Sequence, residues 1–360
     1  MKIGVPKEVK NNECRVGLTP SSVKTLVSDN HEIFIQSNAG NEIGFTDLAY
    51  IEAGASILQS PQEIYSASEL IIKVKEPMQQ ELKYLRKGLT LFTYLHLAGD
   101  LSMAKEILKT GVTGIAYETV TNENGALPLL APMSAIAGQL SVVVGSYHLL
   151  KPNQGRGTLI GKLDPRIVSV IGGGVAGNEA ITKSLANGAR VKVLDLSQKK
   201  LNELKLQHGQ TNIEYIISNP STVEDAISVS DLVIGSVYVV GKQAPKVVTK
   251  EMLKSMTKGS VMVDISIDQG GGFESSRPTD HDNPTFLEEG VLHYCVTNMP
   301  GAVPLTATKA LNEATLPYIL ELANKGIDLA LRENIHLANG LNIKDGEIMH
   351  SALLELMPTS

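Results

Sequence analysis

At 360 residues the chain exceeds the size at which a single hydrophobic core stops growing, so two domains are expected. Its 42% hydrophobic and 19% charged composition, with 32 glycines, describes a compact α/β protein and excludes a disordered one. A net charge of −6 excludes a basic nucleic-acid face, and the two cysteines, Cys14 and Cys295, exclude a disulfide framework and a CxxC metal site; a reducing, cytoplasmic setting is expected.

The opening segment MKIGVPKEVKNNE has a short apolar stretch broken by Pro6, too short for the core of a signal peptide. From there to residue 116, strand-like runs at 2–5, 32–36, 70–74, 90–94 and 112–116 alternate with amphipathic helical patterns at 21–27, 79–85 and 101–108. Strict alternation of this kind implies a parallel sheet covered by helices. The most apolar segment, 134–150, is interrupted by Gly138, Gln139, Gly145 and Ser146 and reads as a buried helix, not a membrane span. A polar, glycine-rich stretch, 151–165, leads into a second domain.

That domain opens with residues 167–195, IVSVIGGGVAGNEAITKSLANGARVKVLD. An apolar strand at 167–171 runs straight into Gly172-x-Gly174-x-x-Gly177, a helix follows at about 175–186, and a second strand at 190–194 ends in Asp195. The first glycine permits the tight turn, the second lets backbone approach a pyrophosphate, and the third allows close helix packing, while the helix start offers free N–H groups to an anion. A carboxylate at Asp195 accepts from both ribose hydroxyls and repels a 2′-phosphate, which predicts NAD over NADP. A tight turn in a cofactor-free domain is the bland alternative; strand, glycines, helix, strand and acid all in order favour dinucleotide binding. Further strands at 213–217, 232–234, 260–264 and 292–296 complete six. From residue 306 the pattern turns helical, with Leu311, Ala314, Leu316, Ile319 and Leu320 apolar, and these helices are expected to return to the first domain. A substrate cleft is expected between the two domains.

Four polar residues follow predicted strands, where parallel sheets place functional side chains: Arg15 in the loop 7–20, Lys75, His96, and Asp268 in VDISIDQGGG. Singly, each has a plain structural explanation. Arg15 and Lys75 read equally well as solvated charges, His96 between Leu95 and Leu97 as a hydrogen-bonded structural histidine, and Asp268 as a turn residue bonding its own backbone. Together they supply two cations for a carboxylate, an imidazole and a carboxylate for proton transfer, beside a hydride acceptor. That set suits an amino or hydroxy acid oxidised at its α carbon.

Across nearly its whole length the sequence resembles the bacterial alanine dehydrogenase family, in GVPKEVKNNE, RVGLTP, IIKVKEP, LTLFTYLHLA, APMSAIAGQLS, the glycine motif, DLVIGSV, VMVDISIDQGG and HYCVTNMPGAVP. The resemblance implies two doubly wound parallel-sheet α/β domains linked by long helices, a Rossmann NAD domain (131–305) inserted in a flavodoxin-like substrate domain (1–130 and 306–360). It implies reversible oxidative deamination of L-alanine to pyruvate and ammonium, and a homohexamer. By resemblance Arg15 and Lys75 hold the substrate carboxylate, His96 is the acid/base group, and Asp268 assists near the nicotinamide. Ser134, Asp195, Lys200, Ser218, Val237 and Tyr238 fall at positions that contact NAD in the family, as do Ile265, Asn298 and Met299. Departures from the family pattern are Cys14 and Gly17 beside Arg15, the loop 161–166, and Val240, Leu305 and Ala307. The nearest alternatives are the NAD-binding subunit of transhydrogenase, which lacks the counterparts of Lys75 and His96, a lysine-forming dehydrogenase, and a non-catalytic NAD-binding protein, which predicts loss of one of the four polar residues.

Overall fold

The computed structural model describes residues 1–239 and 243–357, so Val240 lies outside the described residues. The chain divides into two compact units, Met1–Met133 with Val303–Ser360, and Ser134–Ala302.

The first unit carries β1 (Lys2–Val5), β2 (Glu32–Gln36), β3 (Ser56–Leu58), β4 (Leu70–Ile72), β5 (Thr90–Thr93) and β6 (Thr113–Ala116). The second carries β7 (Ile167–Ile171), β8 (Arg190–Asp195), β9 (Ile213–Ile217), β10 (Leu232–Gly235), β11 (Val261–Asp264), β12 (Thr285–Glu288) and β13 (Val291–Tyr294), and the chain then returns to the first with β14 (Leu341–Lys344) and β15 (Glu347–Ile348). The sheet of the first unit runs β15-β14-β6-β5-β4-β1-β2-β3, and that of the second β12-β13-β11-β10-β7-β8-β9. Apart from antiparallel pairs at one end of each sheet, every ladder is parallel. Central strands buried on both faces read as continuous apolar runs; Leu70, Ile71 and Ile72 and likewise Leu232, Val233 and Ile234 are fully buried.

Both sheets therefore use one order about their first strand. In the first unit it reverses between β1 and β4, in the second between β7 and β10, and in open α/β sheets the crevice outside the carboxyl ends at that reversal is where ligands bind. Local chemistry fixes the helices that follow these strands. Thr19 caps the helix Pro20–Ser28, its hydroxyl accepting from the Ser22 N–H at 3.2 Å, and Pro20 supplies the preset φ of a first turn. Asn219 and Thr222 form a capping box at the start of Pro220–Ser228.

Several elements differ from the sequence expectation. The segment 79–85 is a 3-10 turn, Gln79–Tyr84, and the edge strand β3 was not anticipated. The helix expected to be buried, Ala131–His148, leaves Val143 and Tyr147 about half exposed, 49% and 57%, so only part of its surface is covered within this chain. After the long helix Pro304–Lys325 the chain is not wholly helical: β14 and β15 form a hairpin laid antiparallel on β6.

Candidate active site

In the first unit the reversal between β1 and β4 gathers three of the sequence candidates. Arg15 is not a solvated charge: it is 2% exposed, and its Nε and Nη2 donate to the two carboxylate oxygens of Glu13 at 2.7 and 2.5 Å while Nη1 donates to the Met133 sulfur at 3.2 Å. The pair with Glu13 uses the Nε–Nη2 edge of the planar fork. Burial acts to lower the Arg15 pKa, and Glu13 more than reverses it, so the guanidinium stays charged. Gly17 has a structural reason in this chain, because a Cβ there would sit 2.5 Å from the Ile72 carbonyl oxygen. Cys14 is half-buried, with its thiol pKa pushed up by burial and by Glu42 and Glu13.

Lys75 lies just past β4, 5% exposed, with its ammonium 3.6 Å from Glu76 Oε2. Glu76 Oε1 takes a hydrogen bond from Lys10 at 2.7 Å. Burial acts to raise the Glu76 pKa, and Lys75, His96 and Lys10, in that order, overcome it and bring it to about 2. One carboxylate therefore senses both Lys75 and His96. Since the folded pKa lies below the ordinary 4.5, Glu76 adds stability that is complete above pH 4.5 and is lost as pH falls toward 2. Roughly 3 kcal/mol is at stake. Acid titrations followed by circular dichroism should show that loss in the native protein and a flatter profile in Glu76→Gln; equal profiles would contradict the pairing.

His96 follows β5 in a left-handed backbone conformation, φ +46°, which costs a non-glycine residue about 1 kcal/mol or more. What holds it there is Glu118, beyond β6, whose carboxylate accepts from the Leu95 N–H at 3.2 Å and the His96 N–H at 2.6 Å. The same carboxylate lies 4.0 Å from the imidazole Nδ1. The imidazole stacks on the Tyr94 ring, centroids 5.6 Å apart and planes within 8°, and stays partly exposed, its side chain at 37%. Burial pushes the Tyr94 hydroxyl pKa up, and the neighbouring Arg15 guanidinium offsets only part of that rise. Arg15, Lys75 and His96 are thus gathered round Tyr94 and Glu76. Sequence reasoning missed the supporting carboxylates Glu13, Glu76 and Glu118, as well as Met133; Glu13, two residues before Arg15, and Glu76, next to Lys75, carried a local signal.

In the second unit the glycine turn leaves β7 at the other reversal. Gly172 has φ +102°, and a Cβ on it would meet the Ser236 carbonyl oxygen at 2.6 Å. Ser236, just past β10, donates its hydroxyl to the Gly172 carbonyl at 2.8 Å and ties the turn to the neighbouring strand. Gly177 permits the closest contact, since a Cβ would lie 1.9 Å from the Gly172 oxygen. Gly174 is the opposite case: it is the N-cap of Val175–Ala186, no side chain caps that helix start, and a Cβ there would meet nothing within 4 Å. Open space above uncapped helix N–H groups is what a pyrophosphate needs, so these residues fit a dinucleotide. Asp195 ends β8, half-buried, with one oxygen on the Gly173 N–H at 2.7 Å and the other on the Ser197 N–H at 2.8 Å, leaving each a lone pair for a hydroxyl.

The remaining candidates line the carboxyl ends of this sheet. The Ser218 N–H donates to the Asp195 carbonyl at 2.9 Å, and Lys200, partly exposed, reaches Glu203 at 2.6 Å. The Val237 carbonyl accepts from the Ser266 hydroxyl at 2.7 Å, and Tyr238 is exposed at 44%. Ile265 and Asp268 lie in the 3-10 turn Ile265–Gln269. Asp268 is exposed and does not bond its own turn; that role belongs to Asp264, fully buried, which accepts from the Ser266 and Gly272 N–H groups at 3.0 and 2.9 Å and so holds both ends of the loop. Burial pushes the Asp264 carboxyl up, against the bonds from Ser276 and the backbone. Asn298, at φ +66°, and Met299 are buried at the turn Met299–Ala302, and Ser134 is on the helix Ala131–His148. Of the other departures, Leu305 is 41% exposed and Ala307 fully buried.

A doubly wound sheet with a glycine turn and a terminal acid defines the dinucleotide-binding α/β class. Comparison narrows it further: residues 4–137 match the family model described as alanine dehydrogenase/PNT, N-terminal domain, and residues 141–351 the corresponding C-terminal domain. The chain is 47% identical over 358 residues to alanine dehydrogenase of Halomonas elongata and 48% over 361 residues to that of Staphylococcus haemolyticus, covering 99% of this chain and 96% of each relative. Its structure is similar to a solved L-alanine dehydrogenase at TM-score 0.94, 45% identity and 99% coverage of both chains. A transhydrogenase from Sinorhizobium meliloti shares the fold at TM-score 0.81 and 23% identity, covering 98% of this chain and all of that one. The chain belongs to the alanine dehydrogenase/PNT family.

Proposed function

We propose that this chain is an NAD-dependent alanine dehydrogenase that converts L-alanine and water reversibly to pyruvate and ammonium. The observation that carries this reading is the grouping of Lys75 and His96 about Glu76, with buried Arg15 alongside through Tyr94. Identities of 47% and 48% across 99% of the chain, to proteins named alanine dehydrogenase, support it.

In this reading the planar guanidinium of Arg15 grips the substrate carboxylate and fixes the Cα, while Lys75 adds a point charge. His96 takes a proton from the amine or from the attacking water, and returns it in the reverse direction. Asp268 assists from its exposed turn. NAD, when bound, accepts the hydride from Cα. Gly172, Gly174 and Gly177 would seat its pyrophosphate on the helix Val175–Ala186, and Asp195 its adenosine ribose. Ser134, Lys200, Ser218, Val237, Tyr238, Ile265, Asn298 and Met299 would complete its contacts. The domain assignment follows: residues 1–130 and 306–360 handle substrate and 131–305 the cofactor. The exposed Val143 and Tyr147 support self-association, for which a homohexamer is proposed. Among the described residues no helix is long and apolar enough to cross a membrane, and a cytoplasmic location is proposed.

NADH absorbance on mixing the protein with NAD and L-alanine tests this, with NADP alongside. NADH that requires alanine, with little or no turnover of NADP, is expected; no NADH despite bound NAD would overturn it. Arg15→Lys should lower kcat/KM for alanine at least about a hundredfold. Because the arginine is buried on Glu13, it should also cost about 1–3 kcal/mol in thermal unfolding, more than a solvated loop residue would. Unchanged turnover would remove Arg15 from the site.

A further inference from the structure

We propose that Glu8 is a positioning residue that sets Lys75 by extending, with its side chain, the ladder that β1 and β4 leave unfinished. The two strands pair only through Ile3 with Leu70 and Gly4 with Ile71, and β1 ends at Val5, before Pro6, which has no N–H to give a ladder. Past β4 the Lys73 N–H still donates to the Phe92 carbonyl at 3.3 Å, but the Val74 and Lys75 amides that follow meet no strand of β1. Both instead donate to one oxygen of Glu8, at 2.6 and 3.3 Å. The other oxygen accepts from the Lys73 ammonium at 3.0 Å. Lys73 is fully buried and donates also to Glu81 at 2.8 Å, which takes the Tyr65 hydroxyl at 2.8 Å.

Burying a lysine and two carboxylates stabilises a fold no better than apolar packing of the same volume, so what this cluster secures is a single geometry. Burial acts to lower the Lys73 pKa, and Glu8, Tyr65 and Glu81 more than reverse it, so the ammonium stays charged and pins Glu8. Glu8, at 6% exposure, cannot swing away into water. The backbone of Lys75 is held on one side by Glu8 and on the other by the Thr93 hydroxyl, which donates to the Lys75 carbonyl at 2.9 Å. The inference rests on the reading of Lys75 as a substrate anchor.

Two variants separate the clamp from the charge. Glu8→Asp keeps the charge facing Lys73 and withdraws the acceptor by one methylene; Glu8→Gln with Lys73→Met and Glu81→Gln keeps an acceptor for the two amides and for the Tyr65 hydroxyl and leaves no buried charge unpaired. Expected is a fall of at least tenfold in kcat/KM for alanine in Glu8→Asp, carried mainly by KM, with the Kd for NADH unchanged. The triple variant should recover to within about threefold of the native protein. Equal activity in the two variants, high or low, would overturn the proposal. Hydrogen exchange on the native protein is a second test that needs no variant: the Val74 and Lys75 amides should be protected although they lie past the end of β4, and fast exchange would overturn it. A native protein that binds NADH but does not oxidise alanine would sink the functional reading itself, and this inference with it, whereas an active native protein with unaffected Glu8→Asp sinks the inference alone.

Discussion

Gly174→Ala should fold with near-native stability yet lose NAD, while Gly177→Ala should lose both. The two glycines stand three residues apart in one turn, but their surroundings are opposite. A Cβ at Gly177 would lie 1.9 Å from the Gly172 carbonyl oxygen, which cannot yield without undoing the turn that Ser236 ties to β10. The cost should be on the order of 3 kcal/mol, as for forced overpacking elsewhere. At Gly174 the backbone, φ −66° and ψ −165°, is open to alanine, and the added methyl meets no protein atom within 4 Å. It would instead fill the space that a pyrophosphate needs above the first N–H groups of Val175–Ala186. Thermal unfolding within about 1 kcal/mol of the native protein, together with at least a hundredfold weaker NADH binding by fluorescence titration, is the expected pair for Gly174→Ala. Native affinity in that variant would mean that the dinucleotide does not cross this turn.

The second large effect concerns His96. Asparagine adopts the left-handed conformation more readily than most residues, so His96→Asn keeps φ +46° and the Glu118 clamp on its backbone while removing the group able to carry a proton. Stability should change little. Turnover of alanine should fall by roughly 10²–10⁴, the range that a positioned acid or base supplies, with NADH binding unchanged. A fall of less than about tenfold would assign the proton transfer elsewhere, with Lys75 the next group in reach of the same carboxylate.

Much of this was legible in the sequence because it is local. Strand, glycine turn, helix and acid follow one another within 167–195, and the helix Val175–Ala186 falls where the pattern placed it. The two hairpins were missed although their signal was present. Asp345-Gly346 joins β14 to β15 and Glu289-Gly290 joins β12 to β13, each pair with both residues at positive φ, as a two-residue hairpin turn demands. Helical periodicity upstream at Leu311, Ile319 and Leu320 drew the first of these into a helical reading. The strand expected to reach residue 74 stops at Ile72: β1 ends at Val5 and the Val74 amide goes to Glu8 instead, while backbone bonds to the β5 side continue from Lys73 to Phe92 and from Tyr94 to Val74.

Glu118 and Ser236 were beyond reach for a different reason. Glu118 is 22 residues from His96 and Ser236 is 64 from Gly172, and each acts only because the parallel sheet sets strand ends side by side. Asp264 and Asp268 illustrate the limit at short range: both are acids at the end of one strand, and only the packing distinguishes the buried loop clamp from the exposed carboxylate.

The transfer of hydride from the α carbon of alanine is tested most directly with L-alanine deuterated at Cα. The reduced cofactor should carry one deuterium at nicotinamide C4 for each pyruvate released, and in His96→Asn it should form more slowly by the same factor as turnover. Reduced cofactor free of deuterium, or label lost to water while pyruvate forms, would contradict direct transfer from alanine and with it the assignment of Arg15, Lys75 and His96 to one amino-acid site.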